Sequence, residues 1–189
     1  ADKNLVFLDL KVIANVLDLF NRFESLNYQI VIIGGNHDYY NNFDSVHTSL
    51  RILEKYKNVE IFTTPTIYNF SNKKILLLPW DKHENQLQTI KSHVGIVDYL
   101  FTHSDLRGAK TGIKNVLHSG NTIADYVGIP KVYASHIHLV QKIDNFTFIG
   151  SPFHMDRNDR TDKKGLFILN IENNTEQFIP NNISPEYKT

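Results

Sequence analysis

The chain has 189 residues, is 41% hydrophobic and contains no cysteine. It can bury one good core, and it cannot use disulfides, thiolate metal sites or a cysteine nucleophile, so any metal must be held by nitrogen and oxygen donors. Twenty Lys and Arg balance 20 Asp and Glu, so contact with nucleic acid would need a local basic patch rather than a bulk positive field. No apolar run approaches the roughly 20 residues of a membrane span, and the first ten residues lack the charged start and long apolar core of a targeting peptide. The expectation is a soluble, single-domain protein of residues 1–189, and the missing cysteines suit an intracellular one.

Residues 5–8 (LVFL) read as a short strand, and residues 11–27 place Val12, Ile13, Val16, Leu17, Phe20 and Phe23 at helical spacing. Residues 29–33 form the next strand, continuously apolar as expected when helices cover both faces of a sheet. That strand stops at Gly34 and Gly35 and presents Asn36, His37 and Asp38. Asp44 is a candidate cap for a helix carrying Leu50, Ile52 and Leu53 and ending near Tyr56, and VEIF at 59–62 is another strand.

From Thr66 the pattern changes. TIYNF, the turn-rich SNKK and ILLLPW read as a hairpin that opens a second, more antiparallel sheet. Residues 86–93 are helical, VDYLF at 97–101 is a strand that ends in Thr102, His103 and Ser104, and 105–119 is a polar surface loop whose DLRGAKTG could offer amides or cations to phosphate. KVYAS at 131–135 runs into His136, Ile137 and His138, followed by strands LVQKI and FTFIGS and a last hairpin, 165–172 with 176–179.

His37, His103, His136 and His138 thus all follow predicted strands, where the loops at one end of an α/β sheet gather to make a site. Singly, each is an ordinary loop histidine. Jointly they resemble half of a two-metal centre: His136 and His138 can converge on neighbouring ions, and the Asn36 amide adds a hard donor favoured by manganese.

GNHD at 35–38, FTHSDLRG around His103 and SHIH at 135–138 resemble, in that order, the later motifs of the calcineurin-like metallophosphoesterases. NVEIFTTPTIYNF, LLLPWDKHEN, IGSPFHMDRND and KKGLFILNIENNTEQFIPNN are similar to the nuclease subunits of SbcCD-type recombination and repair complexes, those of T-even-like phages above all. The likeness runs over about residues 27–182. It implies a four-layer metallophosphoesterase sandwich, with two central mixed sheets flanked by helices. It implies a DNA exonuclease or endonuclease that hydrolyses phosphodiesters with two divalent ions, manganese above all and magnesium as the other candidate. Asn36, His103 and His136 would bind one ion and His138 the other. His37 would bind neither, standing over the scissile phosphate to stabilise charge or protonate the leaving oxygen. DNA as substrate, an SMC-like ATPase partner, a homodimer and a cytoplasmic, nucleoid-associated location in a bacterial or phage-infected cell complete what the resemblance implies.

The family's DxH and GDxxD motifs do not occur in the sequence, where LVFL is followed by Asp9, Leu10 and Lys11. Either residues are omitted, which we favour because a fold without its opening strand would expose an interior sheet edge, or those ligands are lost. Asp9 is therefore not counted as a bridging ligand. Ser135 stands where the family has glycine, tolerable where the backbone needs no positive φ. The family's C-terminal capping region is not recognised either.

Trp80, after Pro79, reads as a core or strand-end residue rather than a base-stacking platform, and Tyr39 and Tyr40 equally as groove-lining or covering residues. His83, His93 and His118 read as solvated, His154 as close to the site, and the charged run 156–164 as a solvated loop. Two other functions fit the same residues: a phosphatase or phosphodiesterase on this fold, and a DNA-end-binding subunit without catalysis.

Overall fold

A computed structural model describes residues 9–41, 43–44, 46–112, 115–155 and 157–185. The strand expected at 5–8 lies outside them. Helix α1, Leu10–Ser25, starts where the Asp9 carboxylate accepts the Lys11 N–H at 2.8 Å, an N-cap that satisfies one orphan amide. Its apolar stripe is only half covered. Phe20 packs on the Tyr56 ring at 5.7 Å, and the Tyr56 hydroxyl lies within hydrogen-bond distance of both the Leu17 carbonyl and the Asn21 side-chain oxygen, to one of which its single hydrogen is given. Val12, expected on the buried face, is 55% exposed.

Strand β1, Ile30–Ile33, pairs in parallel with β2, Val59–Phe62. The expectation that helices cover both faces of β1 is not met: no residue of it is buried, and Val31 faces an apolar cleft. Between the two strands Asp44 does not cap a helix. It holds a local turn by accepting from the Val46 and His47 amides, and Thr48 caps the short 3-10 helix Ser49–Leu53.

The hairpin is as expected, β3 (Thr66–Phe70) against β4 (Lys73–Leu78). It does not open an antiparallel sheet, however. Strands β5 (Tyr99–His103), β6 (Lys131–Ser135), β7 (Gln141–Ile143) and β8 (Phe146–Phe148) complete a six-stranded sheet of order β3-β4-β5-β6-β8-β7, in which β4, β5, β6 and β8 are parallel and only the edges are antiparallel. Helix α2, His83–His93, connects β4 to β5 and supplies the crossover that a parallel pair requires. Strands β9 (Gly165–Asn170) and β10 (Thr175–Pro180) form a separate antiparallel pair. Among the described residues there are therefore three sheets, rather than two.

The alternation in β4 divides the core. Leu76 and Leu78 join Ile90 of α2, Leu100, Val132, Phe146 and Phe148 on one face, while Ile75 and Leu77 join Tyr99 and Tyr133 on the other, where Ile33, Phe62 and Leu169 close over them. This explains why ILLL reads as a continuous apolar run: both faces are covered. The second core is incomplete, and an apolar cleft of about 580 Å³ lies between β1 and β9 over the sheet. The segment after β5 is not a pure surface loop, because Leu106 and Ala109 are fully buried in the first core. Nor is 157–164 simply solvated. It forms a 3-10 helix, Arg157–Thr161, and both Asp159 and Lys164 are buried.

Candidate metal centre at the strand ends

Parallel strands point their C-terminal ends the same way, and the register sets His103 opposite Ser135 and Thr102 opposite Leu78. The Trp80 backbone N–H donates to the Gly34 carbonyl at 2.9 Å, bringing the end of β1 to this edge as well. From α2 the buried Gln86 amide reaches back and donates to both the Pro79 and His103 carbonyls at 2.9 Å, clamping β4 to β5 just behind the site. His103 therefore sits on the last residue of a strand, two residues later than the sequence pattern predicts the strand to end.

The turn after β1 is built around Asp38. Its carboxylate accepts the Gly35 N–H at 2.7 Å, closing a tight loop that thrusts Asn36 inward and leaves His37 exposed. Burial raises the Asp38 pKa, opposed by the Gly35 amide and by His37. Both glycines are needed for close approach. A Cβ on Gly34 would collide with the Tyr39 hydroxyl, and one on Gly35 would stand 2.8 Å from His103 Cε1. Tyr39 is buried over this turn with its hydroxyl unpaired, its pKa pushed up to about 12 by burial and then by Asp38 and Asp81; Tyr40 is exposed.

Three of the five predicted site residues meet. His103 Nε2 is 2.9 Å from Asn36 Oδ1 and 3.1 Å from His136 Nδ1. Burial, then the neighbouring His136 and His37, push the His103 pKa down to about 3, against a smaller opposing pull from Asp105. At neutral pH its imidazole is uncharged and carries a free lone pair. Metal–ligand bonds of about 2.1 Å at right angles set adjacent donors about 3 Å apart, so His103 Nε2 is spaced from each of the other two atoms as neighbouring ligands of one ion would be. Among the described residues no three His, Asp or Glu side chains form such a group alone; the third donor would be the Asn36 amide. The donor set fits one divalent ion in part, and all its atoms are nitrogen or oxygen.

His138 does not join the group. It is half-exposed, with Nδ1 3.9 Å from Asp159 Oδ2, and its backbone carbonyl accepts from the buried Lys164 ammonium at 2.8 Å. Lys164 also pairs with Asp159 at 3.2 Å and Asp162 at 3.3 Å. Sequence reasoning missed this buried ionic knot because in the sequence it is indistinguishable from a solvated charge run. It also undervalued Trp80, whose ring stacks on His136 at 5.2 Å and meets His103 edge-on at 5.8 Å; the available signal was Pro-Trp at the end of a buried strand. His154 faces the Asp162 carbonyl, and His83 and His118 are exposed; His93, half-buried, bonds the Thr89 carbonyl within α2.

The backbone is strained here. His136 has φ of 95°, a conformation that costs a non-glycine residue roughly 1–3 kcal/mol and collects at functional sites. Ser135, where the resemblance implies glycine, has no positive φ, so a side chain is carried there without backbone strain.

No family model matches the chain. Over 156 residues it is 30% identical to exonuclease subunit 1 of Enterobacteria phage T4, an overlap that takes in 79% of this chain and 44% of that protein. The chain thus spans less than half the length of the relative it matches.

Proposed function

We propose that the chain is the catalytic region of a metal-dependent DNA nuclease of the calcineurin-like metallophosphoesterase family, an SbcD-type subunit that hydrolyses phosphodiester bonds as an exonuclease or endonuclease. The observation that carries it is the convergence of His103 Nε2, His136 Nδ1 and Asn36 Oδ1 at one end of the parallel strands. The similarity to a phage exonuclease subunit supports the choice of DNA as substrate. In this reading Asn36, His103 and His136 hold one divalent ion and His138 helps hold a second, manganese or magnesium. When bound, such ions would supply Lewis acidity for activating a water and positive charge to offset that of the phosphate.

The chain's own residues do the rest. Exposed His37, at the tip of the turn anchored by Asp38 and beside His103, stabilises charge on the phosphate or gives a proton to the leaving 3′ or 5′ oxygen. Uncharged His103 keeps a lone pair for the ion at the pH of the reaction. An SMC-like ATPase partner, a homodimer, the four-layer sandwich and a nucleoid-associated cytoplasmic setting belong to the same reading.

The test is cleavage of linear duplex DNA beside a chromogenic phosphodiester, with and without manganese, in the full-length protein. We expect manganese-stimulated DNA cleavage, lost by at least 100-fold in His37→Ala and Asn36→Ala. Turnover of the chromogenic ester alone would replace the nuclease with a phosphodiesterase, and DNA binding untouched by His37→Ala without any cleavage would replace it with an end-binding subunit.

A further inference from the structure

Asp105 lies in the FTHSDLRG stretch but has no role in the metal reading, yet it touches the centre. Its Oδ1 lies 3.1 Å from His136 Nε2, the ring nitrogen that faces away from His103. That oxygen is buried and receives no well-aligned hydrogen bond, and the imidazole stands within ion-pair distance of it. Asp105 is held there by its surroundings. The next residue, Leu106, is fully buried and bridges to Asn121, and Gly120, with φ of 94°, packs so tightly that a Cβ would stand 2.6 Å from Asp105 Cβ.

A carboxylate only accepts hydrogen bonds. Its presence at Nε2 therefore favours the tautomer with the proton on that nitrogen, and Nδ1 is left with its lone pair facing His103. A matching arrangement holds His103. Ser135 Oγ is 2.8 Å from His103 Nδ1 and can direct its own hydrogen to the Thr102 carbonyl at 3.5 Å, so it receives the Nδ1–H and leaves Nε2 bare. His103 Nε2 then faces two other acceptors, Asn36 Oδ1 at 2.9 Å and His136 Nδ1 at 3.1 Å, an arrangement that repels itself unless a positive charge lies between. Trp80, stacked on the His136 face, prevents that ring from rotating away.

We propose that Asp105 is the positioning residue of this centre: by standing as acceptor to the Nε2–H of His136 it keeps the proton on that nitrogen and directs the Nδ1 lone pair at the ion, with Ser135 doing the same for His103. The proposal rests on the metal reading of the site but concerns residues that reading does not include. Outer carboxylates of this kind typically change metal affinity 10–100-fold.

The test uses protein labelled with 15N-histidine, stripped of metal at pH 8, whose ring tautomers are read from long-range proton–nitrogen NMR. We expect His136 as the Nε2–H form in the wild type and a mixture in Asp105→Ala. Manganese titrated by calorimetry should bind Asp105→Ala 10–100-fold more weakly, with Asp105→Glu recovering part of the loss and circular dichroism unchanged. A wild-type His136 carrying its proton on Nδ1 overturns the proposal whatever the variants do, as does a tautomer that Asp105→Ala leaves unchanged. Should the tautomers be as expected while wild type binds no manganese, the positioning contact stands and the metal reading fails. Manganese binding with the opposite tautomer means the reverse: the metal reading stands and the positioning contact fails.

Discussion

Acid should destabilise this fold through His103 before its carboxylates do so in full, and a single substitution isolates the effect. The folded pKa lies at about 3 against an ordinary 6.5, chiefly because burial opposes the charged ring. Above pH 6.5 the imidazole is neutral in both folded and unfolded chains, and it adds no pH dependence. Below 6.5 the unfolded chain takes up a proton that the folded one refuses until about pH 3, so stability falls by about 1.4 kcal/mol per pH unit across that window. Between pH 7.5 and 5 the loss amounts to roughly 2 kcal/mol. His103→Gln removes the titration but costs packing at every pH. Urea unfolding of both proteins in EDTA at pH 7.5, 6.5, 5.75 and 5 should show their stability difference narrowing in favour of the variant by roughly 2 kcal/mol as pH falls. Parallel curves would refute the reasoning, since they would mean that His103 is as easily protonated in the fold as in water.

Gln86→Leu leaves the Pro79 and His103 carbonyls without their shared donor; we expect roughly 2–3 kcal/mol of destabilisation in denaturant unfolding, and weaker manganese binding because the end of β5 loosens. Lys164→Met strands Asp159 and Asp162 in a buried setting and should cost about 3–5 kcal/mol, with part recovered in the double variant with Asp159→Asn; a loss below 1 kcal/mol in thermal melts would show the knot to be solvated. Gly35→Ala forces a methyl against His103, so manganese affinity should drop even where the melting temperature changes little, whereas unchanged affinity would show that the ring can give way.

Much of the fold is legible in the chain because local physics sets it. Helical spacing from Ile13 to Phe23, the SNKK turn and the apolar run of β4 each dictate an element from short-range sterics and burial pattern alone. The Gly-Gly break after β1 likewise announces a tight turn, and three of the five proposed site residues, Asn36, His103 and His136, meet as their places after strands suggested. What the residues could not disclose is how elements separated by many positions pair. The hairpin at 66–78 reads as antiparallel, but its second strand turns its other edge to β5 in parallel, a choice made by the α2 crossover and by burial on both faces. The same holds for charge: Lys164 and Asp159 look like solvent-facing residues until the fold brings the His138 carbonyl over them. Asp105 and Trp80 lie within the stretches FTHSDLRG and LLLPWDKHEN, but their contacts with His136 arise only when β4 and β5 end side by side beneath it. Sequence determined which residues lie at strand ends; tertiary structure decided which of those ends share an edge, because register and crossover are properties of paired strands and of no single segment.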